Sequence, residues 1–137
     1  MSTKIEKSDE QWREELTPQQ YATLREAGTD RPGTGELLHE QRDGSFACAG
    51  CGTVLFASDT KYDSGSGWPS FTDPVNREHV TLIEDTSHGM RRIEVRCAAC
   101  DGHLGHVFPD GPGASGERYC INSSALAFQP EQPTAEA

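Results

Sequence analysis

Cys97-Ala98-Ala99-Cys100-Asp101-Gly102-His103-Leu104-Gly105-His106 places two thiols in one tight turn and then runs directly into a strand-like stretch, Leu104–Phe108. The same design occurs earlier as Cys48-Ala49-Gly50-Cys51-Gly52-Thr53-Val54-Leu55, again with Cys at the first and fourth positions and Leu at the eighth. Two such knuckles can present four thiolates at the corners of a tetrahedron, which suits a closed, structural zinc site. An iron–sulfur cluster uses the same ligands. A thioredoxin-like redox pair would need a βαβ setting, which the flanks do not provide. The reading is therefore one structural Zn2+ held by Cys48, Cys51, Cys97 and Cys100. The pairs lie roughly 45 residues apart, more than in a compact zinc ribbon, so a whole sheet region must separate them.

Outward from the knuckles, short apolar or alternating runs recur between turn residues: Leu37–His39, Ser45–Cys48, Val54–Ala57, Val80–Glu84, Met90–Arg96, Leu104–Phe108, Arg118–Asn122 and Ala125–Phe128. Asp43-Gly44 reads as a hairpin turn between the first two. Many short strands with turns between them predict a mainly β, antiparallel sandwich or barrel. Before this region, Ser8-x-x-Gln11 and Thr17-x-x-Gln20 fit capping boxes, the second with Pro18 at the first helical position. They predict two short helices, Asp9–Glu15 and Pro18–Ala27, the latter closed by Gly28, with Trp12, Tyr21 and Leu24 as anchors. Residues 1–7 and 129–137 read as disordered tails around a single domain over 8–128, divided into a helical part at 8–28 and a β core at 36–128.

The 137 residues suffice for one domain with its own core, yet 14 Gly and 8 Pro leave that core thin. Such domains lean on a staple. A net charge of −10 argues against nucleic acid or an anionic membrane as a partner. No apolar run reaches spanning length, and Met1–Lys7 lacks the apolar stretch of a secretory signal. The expectation is a cytoplasmic protein, where paired Cys-x-x-Cys motifs serve metals or redox chemistry more often than disulfides.

The fifth cysteine has no pair. Cys120 stands in Arg118-Tyr119-Cys120-Ile121-Asn122-Ser123. A lone cysteine is ordinarily a small buried hydrophobe. A nucleophilic one needs its thiolate favoured, and Arg118 or a nearby imidazolium would do so. His103 and His106 could deliver a proton to a leaving oxygen. Asn122 would share a strand face with Cys120 and offer an amide. Gly65-Ser66-Gly67-Trp68-Pro69-Ser70-Phe71 puts an indole on a glycine-flanked, proline-stiffened loop, where a core Trp would normally sit on a strand. Two further readings compete: a non-catalytic zinc-held β-domain that binds a partner or small ligand, and a zinc hydrolase using His103 and His106. The first has no use for an unpaired Cys between Arg and Asn. The second needs an open metal position.

With both Cys-x-x-Cys pairs, the segments Gly67-Trp68-Pro69-Ser70-Phe71, Ser87-His88-Gly89-Met90, His103-Leu104-Gly105-His106-Val107-Phe108-Pro109-Asp110-Gly111-Pro112 and Arg118–Ser123 occur in order. The chain resembles the B family of methionine-R-sulfoxide reductases from about Asp9 to Phe128. The resemblance implies two antiparallel sheets with N-terminal helices. It also implies Cys120 as nucleophile on the sulfoxide sulfur, protonation by His103 or His106, support from Asn122, and substrate contacts from Trp68, Phe71, Asp110 and Arg118. The implied product on the enzyme is a Cys120 sulfenic acid. Many family members carry a resolving cysteine where this chain has Ser66. Recycling is therefore expected to be direct, by thioredoxin or another thiol reductant, in a monomer acting on methionine-R-sulfoxide in proteins or peptides.

Overall fold

A computed structural model describes residues 8–26, 28–31, 33, 35, 37–38, 40, 42–62, 64–65, 67–86, 92–113 and 116–130. Helix α1 (Asp9–Glu15) has the bounds its sequence predicts, and its capping box is closed: Gln11 N–H donates to Ser8 Oγ while Ser8 N–H donates to the Gln11 side chain. Helix α2 (Pro18–Glu26) starts from the matching box between Thr17 and Gln20. Ala27, the expected last residue, lies outside the described residues. None of the described helices is long and apolar enough to cross a membrane.

Among the described residues nine strands follow: β1 (Gly44–Cys48), β2 (Val54–Ala57), β3 (Lys61–Tyr62), β4 (Ser70–Phe71), β5 (Val80–Asp85), β6 (Arg92–Cys97), β7 (His103–Phe108), β8 (Arg118–Ile121) and β9 (Leu126–Pro130). They form two antiparallel sheets, β2-β1-β9 and β3-β4-β8-β7-β6-β5. The mainly β, two-sheet, two-helix expectation holds. Four details differ. Leu37 and Leu38 form a turn rather than a strand, and His39 is not among the described residues. Asp43-Gly44 is therefore not a hairpin turn. Gly44 opens β1 and pairs with Pro130, so the chain is ordered through Pro130 rather than ending at Phe128. Ser123–Ala125 is a 3-10 turn, which delays β9 to Leu126. The two-residue strands β3 and β4 are too short to show any periodicity in sequence.

The core lies between the sheets. On the small sheet Phe56, Phe46 and Phe128 sit in one cross-strand row. On the large sheet Phe71 is opposite Tyr119. The rows meet where Phe71 stacks on Phe56, ring centroids 4.4 Å apart, and meets Phe46 edge-on at 5.1 Å. Each such buried ring contributes roughly 1.5–3 kcal/mol of transfer free energy. The other face of the large sheet carries polar side chains, and alternation along β8 divides them: Tyr119 and Ile121 inward, Arg118 and Cys120 outward.

The helices pack over the knuckles. A Cβ on Gly50 would press on the Trp12 ring at 3.3 Å, and one on Gly102 would lie 2.9 Å from Leu24. Glycine at these turns lets α1 and α2 lie directly over the thiols. Arg25 closes the arrangement, donating to the Cys100 carbonyl at 2.9 Å with its guanidinium over Trp12.

Candidate active site

The four knuckle thiols converge. Cys48 and Cys100 sulfurs lie 3.7 Å apart, Cys51 and Cys97 sulfurs 3.6 Å, and all four fall within 4.8 Å of one another. A tetrahedral ion with ~2.3 Å metal–sulfur bonds requires sulfurs about 3.8 Å apart, so the cluster could hold one metal ion. The knuckles are also built alike. Cys48 N–H donates to Thr53 O and Cys97 N–H to Gly102 O, while Gly52 and Asp101 N–H return to the first cysteine's carbonyl in each turn. Gly50 N–H points at Cys48 sulfur at 3.3 Å.

Cys120 lies elsewhere, on the outward face of β8. Its cross-strand neighbours are Ser70 on β4 and His106 on β7, and His106 is in turn opposite Glu94 on β6. One row thus crosses the sheet as Ser70, Cys120, His106, Glu94. The strands approach closely because Gly105 has no side chain; a Cβ there would collide with the Cys120 carbonyl. Arg118 Nη1 donates to Cys120 Sγ at 3.3 Å, and Ser70 Oγ lies 3.9 Å from it. The other guanidinium nitrogens form a fork onto Asp110, Nε to Oδ1 at 2.8 Å and Nη2 to Oδ2 at 3.2 Å. The Phe108 ring lies beneath, 4.6 Å from Arg118 Cζ. This ion pair holds Asp110 below the usual carboxylate range and Arg118 above the usual guanidinium value.

The histidine pair depends on an irregularity. Residues three apart on a regular strand face opposite ways, but β7 pairs Gly105 with Val95 and His103 with Arg96, skipping Leu104. That bulge turns His103 to the side of His106, rings 5.7 Å apart. Each imidazole is held by a carboxylate: His103 Nδ1 by Glu94 at 2.7 Å, His106 Nε2 by Asp85 at 2.9 Å. Burial lowers His106 below the ordinary imidazole value even though Asp85 opposes the shift. Burial pushes Glu94 up, but hydrogen bonds from Arg96 and His103 outweigh it and leave the carboxyl low. His103 Nε2 is buried and has no partner among the described residues.

These groups surround a cavity of about 270 Å³ lined by Thr29, Trp68, Arg92, Gly105, His106, Phe108, Arg118, Cys120 and Asn122. That is below the ~300–1,000 Å³ of ordinary small-molecule sites, and suits one inserted side chain. A larger cleft of about 870 Å³ beside α2 and β9 has no cysteine or histidine among the described residues of its lining. Trp68 is placed by a main-chain turn at Gly67 (φ +97°) and by its indole N–H, which donates to Asp30 O at 2.9 Å.

Cys120, His106, Trp68, Arg118 and Asn122 therefore meet at one cavity. His103 stands behind His106. Asp110 reaches the site through Arg118, and its side chain is 65% exposed. Asn122 is occupied: Nδ2 donates to Leu104 O at 3.0 Å and Oδ1 accepts from Asp30 N–H at 2.8 Å. Phe71 requires a correction. It is 0% exposed and stacked in the core, because alternation along β4 gives Ser70 to the Cys120 face and Phe71 to the opposite one. Asp85, Glu94, Arg92 and Ser70 join these residues without a signal in the sequence. Arg92, Glu94 and Arg96 look in sequence like the solvated face of a strand, and nothing local marks that face as a site. Ser66 lies outside the described residues, as do Ser87–Met90.

The SelR domain matches residues 16–130. The chain belongs to the SelR family of peptide methionine sulfoxide reductases. It is 62% identical over 128 residues to a peptide methionine sulfoxide reductase MsrB of Bradyrhizobium diazoefficiens, covering 93% of this chain and 92% of that protein. To the MsrB of Leptospira interrogans it is 56% identical over 131 residues, 96% of this chain and all of that protein. To that of Methanosarcina mazei it is 53% identical over 133 residues, 97% and 95% of the two chains. SelR membership makes this chain an oxidoreductase that reduces methionine sulfoxide, so the pure binding module and the zinc hydrolase are set aside.

Proposed function

We propose that this SelR-family reductase acts on the R epimer of methionine sulfoxide in oxidised proteins and peptides, with Cys120 as nucleophile. The observation that carries the reading is the cavity wall itself: the Cys120 sulfur with the Arg118 guanidinium at 3.3 Å and His106 on the adjoining strand. Arg118 stabilises negative charge on the sulfur. Because Asp85 holds His106 Nε2–H, His106 gives a proton to the sulfoxide oxygen only as the imidazolium, from Nδ1, and the burial that lowers its value makes that imidazolium a readier acid. Cys120 sulfur bonds to the substrate sulfur, the oxygen passes to Cys120, and methionine leaves. The substrate sulfur is reduced by two electrons and the cysteine sulfur oxidised by two, to sulfenic acid. Trp68 forms the wall for the S-methyl group. Selection of one epimer follows because methyl wall and proton donor lie on fixed sides of the sulfur.

The four knuckle cysteines fit zinc, whose role would be to fix the β1–β2 turn to the start of β7 and so lend binding free energy to folding. With Ser66 in the resolving position and those thiols committed to metal, the sulfenic acid is reduced directly by two equivalents of external thiol, releasing water. Thioredoxin, glutathione with glutaredoxin, or another small thiol could serve. A monomeric, cytoplasmic enzyme completes the reading.

The test is reduction of the separated R and S epimers of a blocked methionine sulfoxide with dithiothreitol, for the wild type and Cys120→Ser. Turnover of R alone, lost in the mutant, is expected. Turnover of S, or activity surviving in Cys120→Ser, would overturn the reading.

A further inference from the structure

Asp30, in the loop after α2, is 6% exposed and reaches three parts of the molecule through different atoms. Its N–H donates to Asn122 Oδ1 at 2.8 Å, and its carbonyl accepts the Trp68 indole N–H at 2.9 Å. Its carboxylate accepts Ser124 N–H at 2.9 Å, Ser124 Oγ–H at 2.5 Å and Gln19 Nε2–H at 3.2 Å. A buried carboxylate is costly unless its oxygens are bonded, and here both are used.

The arrangement has a direction. Trp68 is on a loop rather than in a strand, so no sheet ladder fixes its indole. Two bonds tie its neighbourhood to residues 30 and 33: Asp30 O holds the ring, and Gly33 N–H donates to Gly67 O at 2.8 Å. That segment is itself a loop. Its side-chain anchor is the Asp30 carboxylate, clamped to the 3-10 turn Ser123–Ala125 and to α2. We propose that Asp30 is a positioning residue for the sulfoxide pocket, its carboxylate fixing the loop that holds Trp68 at the cavity. The inference rests on the reading of Trp68 as the methyl wall. Asp30 forms no bond to Cys120, Arg118 or His106, so the reactivity of the thiol is independent of it.

The experiment compares zinc-loaded wild type, Asp30→Ala and Asp30→Asn of the full chain. Asp30→Ala is expected to lower kcat/KM for the R-sulfoxide about tenfold through misplacement of the pocket wall, while alkylation of Cys120 by iodoacetamide keeps its rate. Asn can accept Ser124 N–H with its oxygen and donate to Ser124 Oγ with its nitrogen, and to Gln19 once that amide turns its oxygen inward, so Asp30→Asn should restore kcat/KM to within about twofold. Unchanged kcat/KM in Asp30→Ala, a parallel fall in alkylation, or no rescue by Asn would overturn the proposal. If Asp30→Ala does not fold, Ser124→Ala replaces it, with a two- to threefold fall expected on loss of one bond and no change counting against the idea. A second readout is free of catalysis: in a Trp12→Phe background, Trp68 emission should shift red in Asp30→Ala and return in Asp30→Asn. If the wild type turned over no sulfoxide, the functional reading would fall while this emission test still decided whether Asp30 holds the indole.

Discussion

Two groups of cysteines in this chain overlap in burial, and the proposed function gives them opposite fates. Cys48 is 1% exposed, Cys97 0%, Cys100 3% and Cys120 9%, while Cys51 is half-buried, so burial does not separate the groups. Their neighbours do. The knuckle sulfurs face one another at 3.6–3.7 Å, an arrangement of like groups that, once ionised, holds together only around a cation. Cys120 faces a cation that the chain itself supplies, Arg118, and an open cavity. On the proposed function, a thiol becomes structural or reactive according to where the countercharge comes from.

The sharpest way to break the comparison is to remove one sulfur from each group. Cys120→Ser should reduce turnover by on the order of a thousandfold or more and leave metal content and thermal midpoint nearly unchanged. Cys97→Ser should do the reverse in kind: loss of metal and a midpoint lower by roughly 10 °C or more, activity falling only as folded protein is lost. Metal analysis, calorimetry and steady-state rates on the same preparations would decide. Equal stability loss in both variants would erase the distinction.

Much of that distinction was legible beforehand, for a physical reason. Knuckles, capping boxes and the Cys120 segment are local: residues within five positions of each other satisfy one another, as Ser8 with Gln11 or Cys48 with Thr53. What sequence left hidden depends on register. That Ser70 rather than Phe71 faces Cys120 follows from two-residue β4 pairing with β8. That His103 and His106 face the same way follows from a bulge at Leu104. Asp85, Glu94 and Asp30 join the site across strands or loops distant in the chain.

A smaller effect is expected at the cation. Arg118→Ala removes the donor to Cys120 sulfur and should cost roughly a hundredfold in kcat/KM, the usual loss for one charge-aimed donor. Stability should change little, because the guanidinium packs on Phe108 at the cavity edge rather than in the core. Asp110→Asn leaves the donor and loosens its clamp. With the Asp110 side chain 65% exposed, the pair is weakened by solvent, and a loss of about two- to fivefold is expected. If Asp110→Asn cost as much as Arg118→Ala, the carboxylate would be contacting substrate directly.

The smallest effect concerns pH, and it too separates the two regions. Burial holds His106 below the ordinary imidazole value in the folded protein. Between that lowered value and the unfolded value of about 6.5, the unfolded chain binds more protons than the folded one, so stability falls as pH drops through this window. The contribution is complete above about pH 6.5. Glu94 is also depressed, by hydrogen bonds that outweigh its burial, so its stabilisation persists through that range and is lost only further into acid. Denaturant melts of wild type and His106→Asn at a series of pH values isolate the histidine, because proton uptake by the knuckle thiols affects both proteins alike. The two stability curves should run parallel above neutrality and converge as the pH falls below it. Curves parallel throughout would mean that the His106 imidazole is no harder to protonate folded than unfolded, and that the cavity beside Cys120 is better hydrated than its packing indicates.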